Sequence, residues 1–203
     1  MSLVTEDHYF SADPAAPFHR EAFVVEAWGH DFELVSGAGV FSRGHLDHAT
    51  AVLFRELEPP VQGQFLDLGC GYGAIGLAIA RAVPLATVTA VDVNQRALLL
   101  ANENAKAMGL DSRFVAALPE QIPSDMTFDE IWSNPPIRIG KAALHELLLQ
   151  WLPRLRPDGR AVMVVGKNLG ADSLQRWLGE QGWPTTRLAS VKGFRVLETR
   201  RGQ

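Results

Sequence analysis

From residue 64 onwards, short apolar runs alternate with longer segments whose apolar positions recur every three or four residues. The runs predict buried strands and the longer segments predict helices. This alternation is typical of an α/β fold, so we predict a Rossmann-like, doubly wound, seven-stranded mixed sheet. The strands are predicted at 65–68, 87–91, 113–116, 128–132, 161–165, 185–190 and 194–199, with helices at 74–83, 94–108, 141–152 and 171–180.

The last two predicted strands are joined by three residues only, Val191, Lys192 and Gly193. A parallel crossover needs a much longer connection, so the last strand should run antiparallel to its neighbour. Residues 1–60 form a small N-terminal extension with strands predicted at 22–27 and 32–35 and a helix at 46–57. We expect this extension to pack over a ligand site at the edge of the sheet.

Composition favours a single core in a cytoplasmic protein. At 203 residues and 47% hydrophobic, the chain can bury a full core, and it has neither an apolar run of about 18 residues nor a signal peptide pattern. The chain has one cysteine, Cys70, so an internal disulfide is excluded. We interpret Cys70 as a packed thiol rather than a nucleophile. The six histidines are scattered, so no metal site is expected.

The first chemical motif is the segment 65–73, an apolar strand followed by three glycines, Gly69, Gly71 and Gly73. Such glycines permit a tight turn and a close approach of the backbone to a nucleotide ligand. The segment also satisfies the loose dinucleotide-binding pattern, but Asp67 at the strand tip would repel a pyrophosphate. It could instead pair with the ammonium of a methionine-like moiety, and S-adenosylmethionine has that cation and no phosphate.

Asp92 ends the next strand, 23 positions after Gly69. A carboxylate about 20 residues beyond the glycines commonly holds a ribose diol, which predicts an adenosine ligand. The alternative is that Asp92 only caps the following helix, although Asn94 is the more natural N-cap.

The second motif, Ser133 to Ile137, closes another strand. Its two prolines fix their own φ angles and hold Asn134 extended, so the Asn134 amide oxygen and the Pro135 carbonyl become two rigid acceptors. Such a pair suits an exocyclic NH2 whose nitrogen gains positive charge as it attacks a methyl group. The alternative is an ordinary Pro-Pro turn after a strand.

Together these motifs give the chain a family resemblance. It resembles class I S-adenosylmethionine-dependent methyltransferases, and more closely the single-domain relatives of the small-subunit ribosomal RNA (16S) guanine-N2 methyltransferase C family. The resemblance rests on the segments 8–11, 39–43, 46–47, 65–73, 91–94, 101–105, 133–138, 140–141 and 192–196. It implies a methyltransferase domain at 61–203, with 1–60 as a cover over cofactor and substrate.

The resemblance also implies roles for individual residues. The expected catalytic residues are Asn134, Pro135, Pro136 and Ile137. The expected cofactor site comprises Asp67, Gly69, Cys70, Gly71, Tyr72, Gly73, Asp92, Val93, Ala117 and Asn134. The expected substrate-binding residues are Phe41, Arg43, Arg138 and Lys141. Relatives usually carry Asn or Asp at the position of Ala117, so adenine would here be read by backbone N–H groups and apolar packing.

The implied reaction is methylation of guanine N2 in small-subunit ribosomal RNA. A net charge of −4 is unusual for an RNA enzyme, so the basic residues near the strand ends would have to supply a local positive surface. Alternatives are methylation of a protein glutamine or of adenine N6, usually with an aromatic at the position of Ile137, and a non-catalytic adenosine- or NAD-binding module. The pattern is compatible with a monomer or with pairing through an edge element.

Overall fold

The computed structural model describes residues 19–40, 42 and 44–202. The segment 8–11 and the substrate-binding candidates Phe41 and Arg43 lie outside these described residues, as does the side chain of the candidate Arg138. The main sheet has seven strands in the spatial order β5-β4-β3-β6-β7-β9-β8. They are β3 (Gly63–Leu68), β4 (Ala86–Val91), β5 (Phe114–Ala117), β6 (Phe128–Ser133), β7 (Leu155–Gly166), β8 (Thr185–Val191) and β9 (Phe194–Arg200).

The sheet confirms the predicted fold class. Strands β3 to β7 pair in parallel, whereas β9 inserts between β7 and β8 and is antiparallel to both. The carboxyl ends of β3, β4 and β6 therefore meet at one edge, the usual ligand-binding edge of doubly wound sheets. Strand β7 begins six residues before its predicted start, because Leu155 already pairs with Phe128.

In the described part of the chain five α-helices cover the sheet, and their layers follow from the alternation of side chains along the strands. On β3, Phe65 faces the cluster that includes the first three helices, whereas Leu66 faces the cluster that includes the last two. The helices are α1 (His48–Glu56), α2 (Ala74–Ala82), α3 (Gln95–Ala107), α4 (Lys141–Trp151) and α5 (Ala171–Glu180).

The predicted N-terminal strands form a separate hairpin of β1 (Arg20–Ala27) and β2 (His30–Gly37). Its two-residue turn has positive φ angles at Trp28 (51°) and Gly29 (75°), the conformation that matches the twist of paired strands. Asn104 on α3 anchors it by accepting from the Val35 N–H at 2.9 Å and donating to the Val35 carbonyl at 3.0 Å. The hairpin and α1 share a core with the sheet, while the division into 1–60 and 61–203 stays a prediction.

Within the described ranges, no helix combines the length and apolar character needed to cross a membrane.

Candidate active site

A cavity of about 330 Å³ opens at the carboxyl ends of β3, β4 and β6. Its walls bring together the two motifs of the sequence, although about 65 residues separate the glycine segment from Asn134. The size and the mostly apolar wall with a few polar groups are typical of small-molecule sites. The described residues offer no cluster of three or more His, Cys, Asp or Glu side chains placed to hold a metal ion.

The glycine loop is held by hydrogen bonds to the neighbouring strand. The N–H groups of Gly69 and Cys70 both donate to the Val91 carbonyl at 2.9 Å. Gly69 and Gly71 have φ angles of 73° and 55°, a left-handed conformation that glycine adopts without a steric penalty. Burial raises the pKa of the Cys70 thiol well above its usual range, which agrees with a packed thiol rather than a nucleophile.

Asp92 lies in the cavity wall with both carboxylate oxygens oriented by backbone groups. Oδ1 accepts from the Asn94 N–H and Oδ2 from the Gly71 N–H, each at 2.9 Å. Burial raises the pKa of Asp92, and these hydrogen bonds act in the opposite direction. Asn94, not Asp92, caps α3, because its Oδ1 accepts from the Arg96 and Ala97 N–H groups. A carboxylate has about four acceptor sites, so Asp92 can still accept from a ligand hydroxyl.

The side chain of Asp67 is not exposed to the cavity, unlike the sequence prediction. Its side chain is 1% exposed and lies beneath the cavity, where Oδ2 accepts from the Gly76 N–H at 2.8 Å and Oδ1 has no hydrogen-bond partner. Desolvation raises the pKa of Asp67 to about 7, against the opposing Gly76 hydrogen bond. The direct ion pair expected between Asp67 and a ligand ammonium is therefore not available in this arrangement, since the carboxylate faces α2.

The segment after β6 forms a tight turn. The Ile137 N–H donates to the Pro135 carbonyl at 2.8 Å, and Pro136 has φ −74° and ψ 71°, as in an inverse γ-turn. The Ser133 hydroxyl also donates to the Leu68 carbonyl at 2.7 Å, which ties the end of β6 to the end of β3. The Pro135 carbonyl is thus fixed and keeps one lone pair for a ligand.

The orientation of the Asn134 amide follows from its neighbours. Its NH2 group donates to Asp47 Oδ1 at 2.7 Å and to Thr50 Oγ1 at 3.3 Å. A carboxylate only accepts hydrogen bonds, so the amide nitrogen must face Asp47 and the amide oxygen must point away from it. Sequence reasoning missed Asp47 and Thr50 as site residues, although Leu46-Asp47 stood among the motifs of the resemblance.

The structure brings most of the expected site residues into one wall. Those that line the cavity are Gly69, Cys70, Gly71, Tyr72, Asp92, Val93, Asn134, Pro135 and Pro136. The residues that lie outside the wall are Asp67, Gly73, Ala117, Ile137 and Lys141. Sequence reasoning missed the lining residues Val40, Asp47, Thr50, Leu68, Ala74, Ile75, Val91, Asn94, Ala97, Pro119, Ile139, Ala143, Leu147 and Trp151.

The residues outside the cavity wall make the following contacts, and their expected roles toward a ligand stay predictions. Gly73 is the N-cap of α2, Ala117 pairs with Val91 in the sheet, and Ile137 packs against the core below α4. Lys141 begins α4 and is exposed, so it lies beside the site rather than in its wall. Pro119, two residues after Ala117, reaches the cavity after β5.

A family model for the methyltransferase small domain matches residues 31–198, which include every strand from β3 to β9 except the last two residues of β9. The chain belongs to the methyltransferase small domain family. The uncharacterized protein YbxB of Bacillus subtilis is 32% identical to this chain over 198 residues, which cover 96% of this chain and 98% of YbxB. Ribosomal RNA small subunit methyltransferase C of Ectopseudomonas mendocina is 35% identical over 175 residues.

Solved structures agree with this methyltransferase small domain assignment. A 16S rRNA N2 methyltransferase from T. thermophilus, in complex with AdoMet and guanosine, superposes with a TM-score of 0.74 at 27% identity over 94% of this chain. A ribosomal protein L11 methylase from Lactobacillus delbrueckii shares the fold at a TM-score of 0.56 and 22% identity. The chain spans about half the length of the methyltransferase C relative and of the T. thermophilus enzyme.

Proposed function

We propose that the protein transfers a methyl group from S-adenosylmethionine to an exocyclic amine, guanine N2 of small-subunit ribosomal RNA, in the cytoplasm. The observation that carries this proposal is that one cavity unites the glycine loop and Asp92 with the rigid acceptors of Asn134 and Pro135. The likeness to methyltransferase C and to an enzyme crystallised with AdoMet and guanosine supports the choice of donor and acceptor.

The residues of the cavity fit S-adenosylmethionine. Asp92 offers carboxylate oxygens to a ribose diol, and Val93 and Pro119 offer apolar surface beside it. The bound cofactor would supply an electrophilic methyl group on a sulfonium.

In the proposed reaction the chain acts by positioning and fixed dipoles. The Asn134 amide oxygen and the Pro135 carbonyl would accept the two hydrogens of the target NH2 and orient its lone pair toward the methyl group. As the nitrogen attacks, it gains positive charge that the two oxygens stabilise without having to reorganise. After transfer the methylated amine would carry a positive charge and lose one proton to solvent water, because amide and carbonyl oxygens are too weakly basic to keep it.

A guanine inside a helix cannot reach these acceptors, so the target base must leave its stack. Three lysines could bind the surrounding phosphates: Lys141 follows the β6 segment, Lys167 follows β7, and Lys192 lies in the β8–β9 turn. All three are exposed at the edge of the sheet where the cavity opens, and the Lys167 N–H donates to the Gly193 carbonyl. They provide a local positive surface on an acidic protein.

Asp92→Ala is expected to weaken binding of S-adenosylmethionine by roughly 1.5–3 kcal/mol, the usual cost of losing hydrogen bonds to a charged group. Titration calorimetry with S-adenosylmethionine, its demethylated product and NAD measures this change. The exposed Asp125→Ala should bind as the unmodified protein does. Tight binding of NAD without binding of S-adenosylmethionine would contradict the cofactor assignment.

Replacing Lys141, Lys167 and Lys192 together by Ala is expected to weaken RNA binding and to reduce the slope of log affinity against log salt by roughly 2, since each lost phosphate contact removes a released counterion. Fluorescence anisotropy at several salt concentrations measures the slope. Arg81→Ala with Lys106→Ala removes exposed charges from the last turns of α2 and α3 and should leave the slope unchanged. Equal slopes for both variants would remove the three lysines from the RNA surface.

The reaction itself is tested with S-adenosylmethionine carrying a labelled methyl group. The protein is incubated with free ribosomal RNA, with each ribosomal subunit and with ribosomal proteins, and the products are digested and separated by mass spectrometry. Label in N2-methylguanosine of small-subunit RNA supports the proposal. Label in protein glutamine or in adenine, with none in guanine, refutes it and assigns the alternative acceptor.

A further inference from the structure

We propose that Asp47 is a positioning residue that orients and polarises the Asn134 amide for methyl transfer. The inference rests on the proposed amine methylation and extends it to a side chain of the N-terminal segment. Asp47 lies 87 residues before Asn134, yet its Oδ1 accepts from the Asn134 NH2 at 2.7 Å. Thr50, one turn into α1, adds a second acceptor at 3.3 Å.

An asparagine side chain has two orientations that differ only in the exchange of its oxygen and nitrogen. With the nitrogen toward the substrate, Asn134 would present two donors to an amine and could not accept its hydrogens. Asp47 removes this ambiguity because a carboxylate accepts and cannot donate. The orientation that places the amide oxygen away from α1 is therefore the one that satisfies the pair.

The carboxylate is itself held in place. Asp47 is the N-cap of α1, and its Oδ1 also accepts from the Ala49 N–H at 2.8 Å and from the Thr50 N–H at 3.3 Å. The positive end of the helix dipole favours a negative charge at this position. A negative charge beside the NH2 pushes electron density from the amide nitrogen toward the amide oxygen. This oxygen therefore becomes a better acceptor for a nitrogen that gains positive charge.

Two substitutions separate this role from helix capping. Serine is a good N-cap but is too short to reach Asn134, so Asp47→Ser keeps α1 and removes the contact. Asparagine keeps an acceptor oxygen and the reach of the side chain but not the charge. The exposed Asp111→Ser is the matched control.

For Asp47→Ser we expect turnover to fall by about 10- to 100-fold, as for a lost hydrogen bond to a charged group, with the dissociation constant of S-adenosylmethionine nearly unchanged. Asp47→Asn should recover only part of the loss, because asparagine keeps an acceptor oxygen but lacks the charge and can also donate. The double variant Asp47→Ser with Asn134→Ala should be no slower than Asn134→Ala alone, because both changes disable one unit. Additive losses, or weaker cofactor binding at unchanged turnover, would overturn the positioning role.

A readout without substrate separates this inference from the proposed function. The side-chain NH2 signals of Asn134 are identified in NMR spectra by their loss in Asn134→Ala. Asp47→Ser should shift them strongly and Asp47→Asn by an intermediate amount, whereas Asp111→Ser should shift them little. Unshifted signals in Asp47→Ser would refute the contact, whichever substrate the enzyme uses; shifted signals in a protein that methylates no RNA would refute only the guanine assignment.

Discussion

Asn134→Ala is expected to slow methyl transfer by about 10²–10³-fold, the usual cost of removing one preorganised polar group that acts on developing charge. The amide oxygen interacts more strongly with the charged transition state than with the neutral amine, so the loss should appear in turnover. The Asn134 side chain donates hydrogen bonds to Asp47 and Thr50, which do not belong to the glycine loop. Cofactor affinity should therefore change little.

Single-turnover assays with labelled cofactor and saturating RNA measure this effect, and calorimetry measures cofactor affinity in parallel. Asn168→Ala, an exposed asparagine in the turn after β7, is the matched control and should keep full turnover. Unchanged turnover in Asn134→Ala would remove this residue from the mechanism. Loss of cofactor binding at normal turnover would assign it to the other part of the cavity.

Asp67→Asn is expected to remove a pH-dependent contribution of about 4 kcal/mol to the free energy of unfolding. This is the free energy that separates a carboxyl pKa of about 7 from its usual 3.8. The folded protein retains this proton over a pH range in which the unfolded chain has lost it. The contribution of Asp67 to stability is therefore full below pH 4 and is lost as the pH rises toward 7. Asparagine stays neutral throughout. The free energy of unfolding of the variant should therefore rise relative to that of the unmodified protein as the pH increases across this range.

Urea unfolding of both proteins at pH 4, 5, 6, 7 and 8 measures the difference. The charge of Asp92 also raises the pKa of Asp67, so Asp92→Asn is compared with Asp92→Asn plus Asp67→Asn to isolate the contribution of Asp67. The exposed Asp125→Asn should follow the unmodified protein at every pH. A constant gap between Asp67→Asn and the unmodified protein would show that the Asp67 carboxylate is ionised in the folded state throughout.

Local patterns determined the sheet and much of the cavity wall. Apolar runs and helical periodicity depend on neighbours a few positions apart, so they predicted the seven strands and the short β8–β9 connection that makes β9 antiparallel. The glycines after β3 and the acid after β4 were identified for the same reason, since their spacing is set within one strand–helix–strand unit. Gly69, Gly71 and Asp92 accordingly line the cavity.

The side-chain directions at this edge were decided by tertiary structure. Asp67 shares the face of Phe65 on β3, and α2 packs closely against this face at Gly76, so the Asp67 carboxylate is buried. The alternation of side chains along the strand indicated the face. The contact with Gly76 depends on the path of α2. The partnership of Asp47 with Asn134 joins positions 87 residues apart. Such a contact depends on how α1 packs beside β6, which no local periodicity encodes, and it determines which atom of the amide faces the substrate.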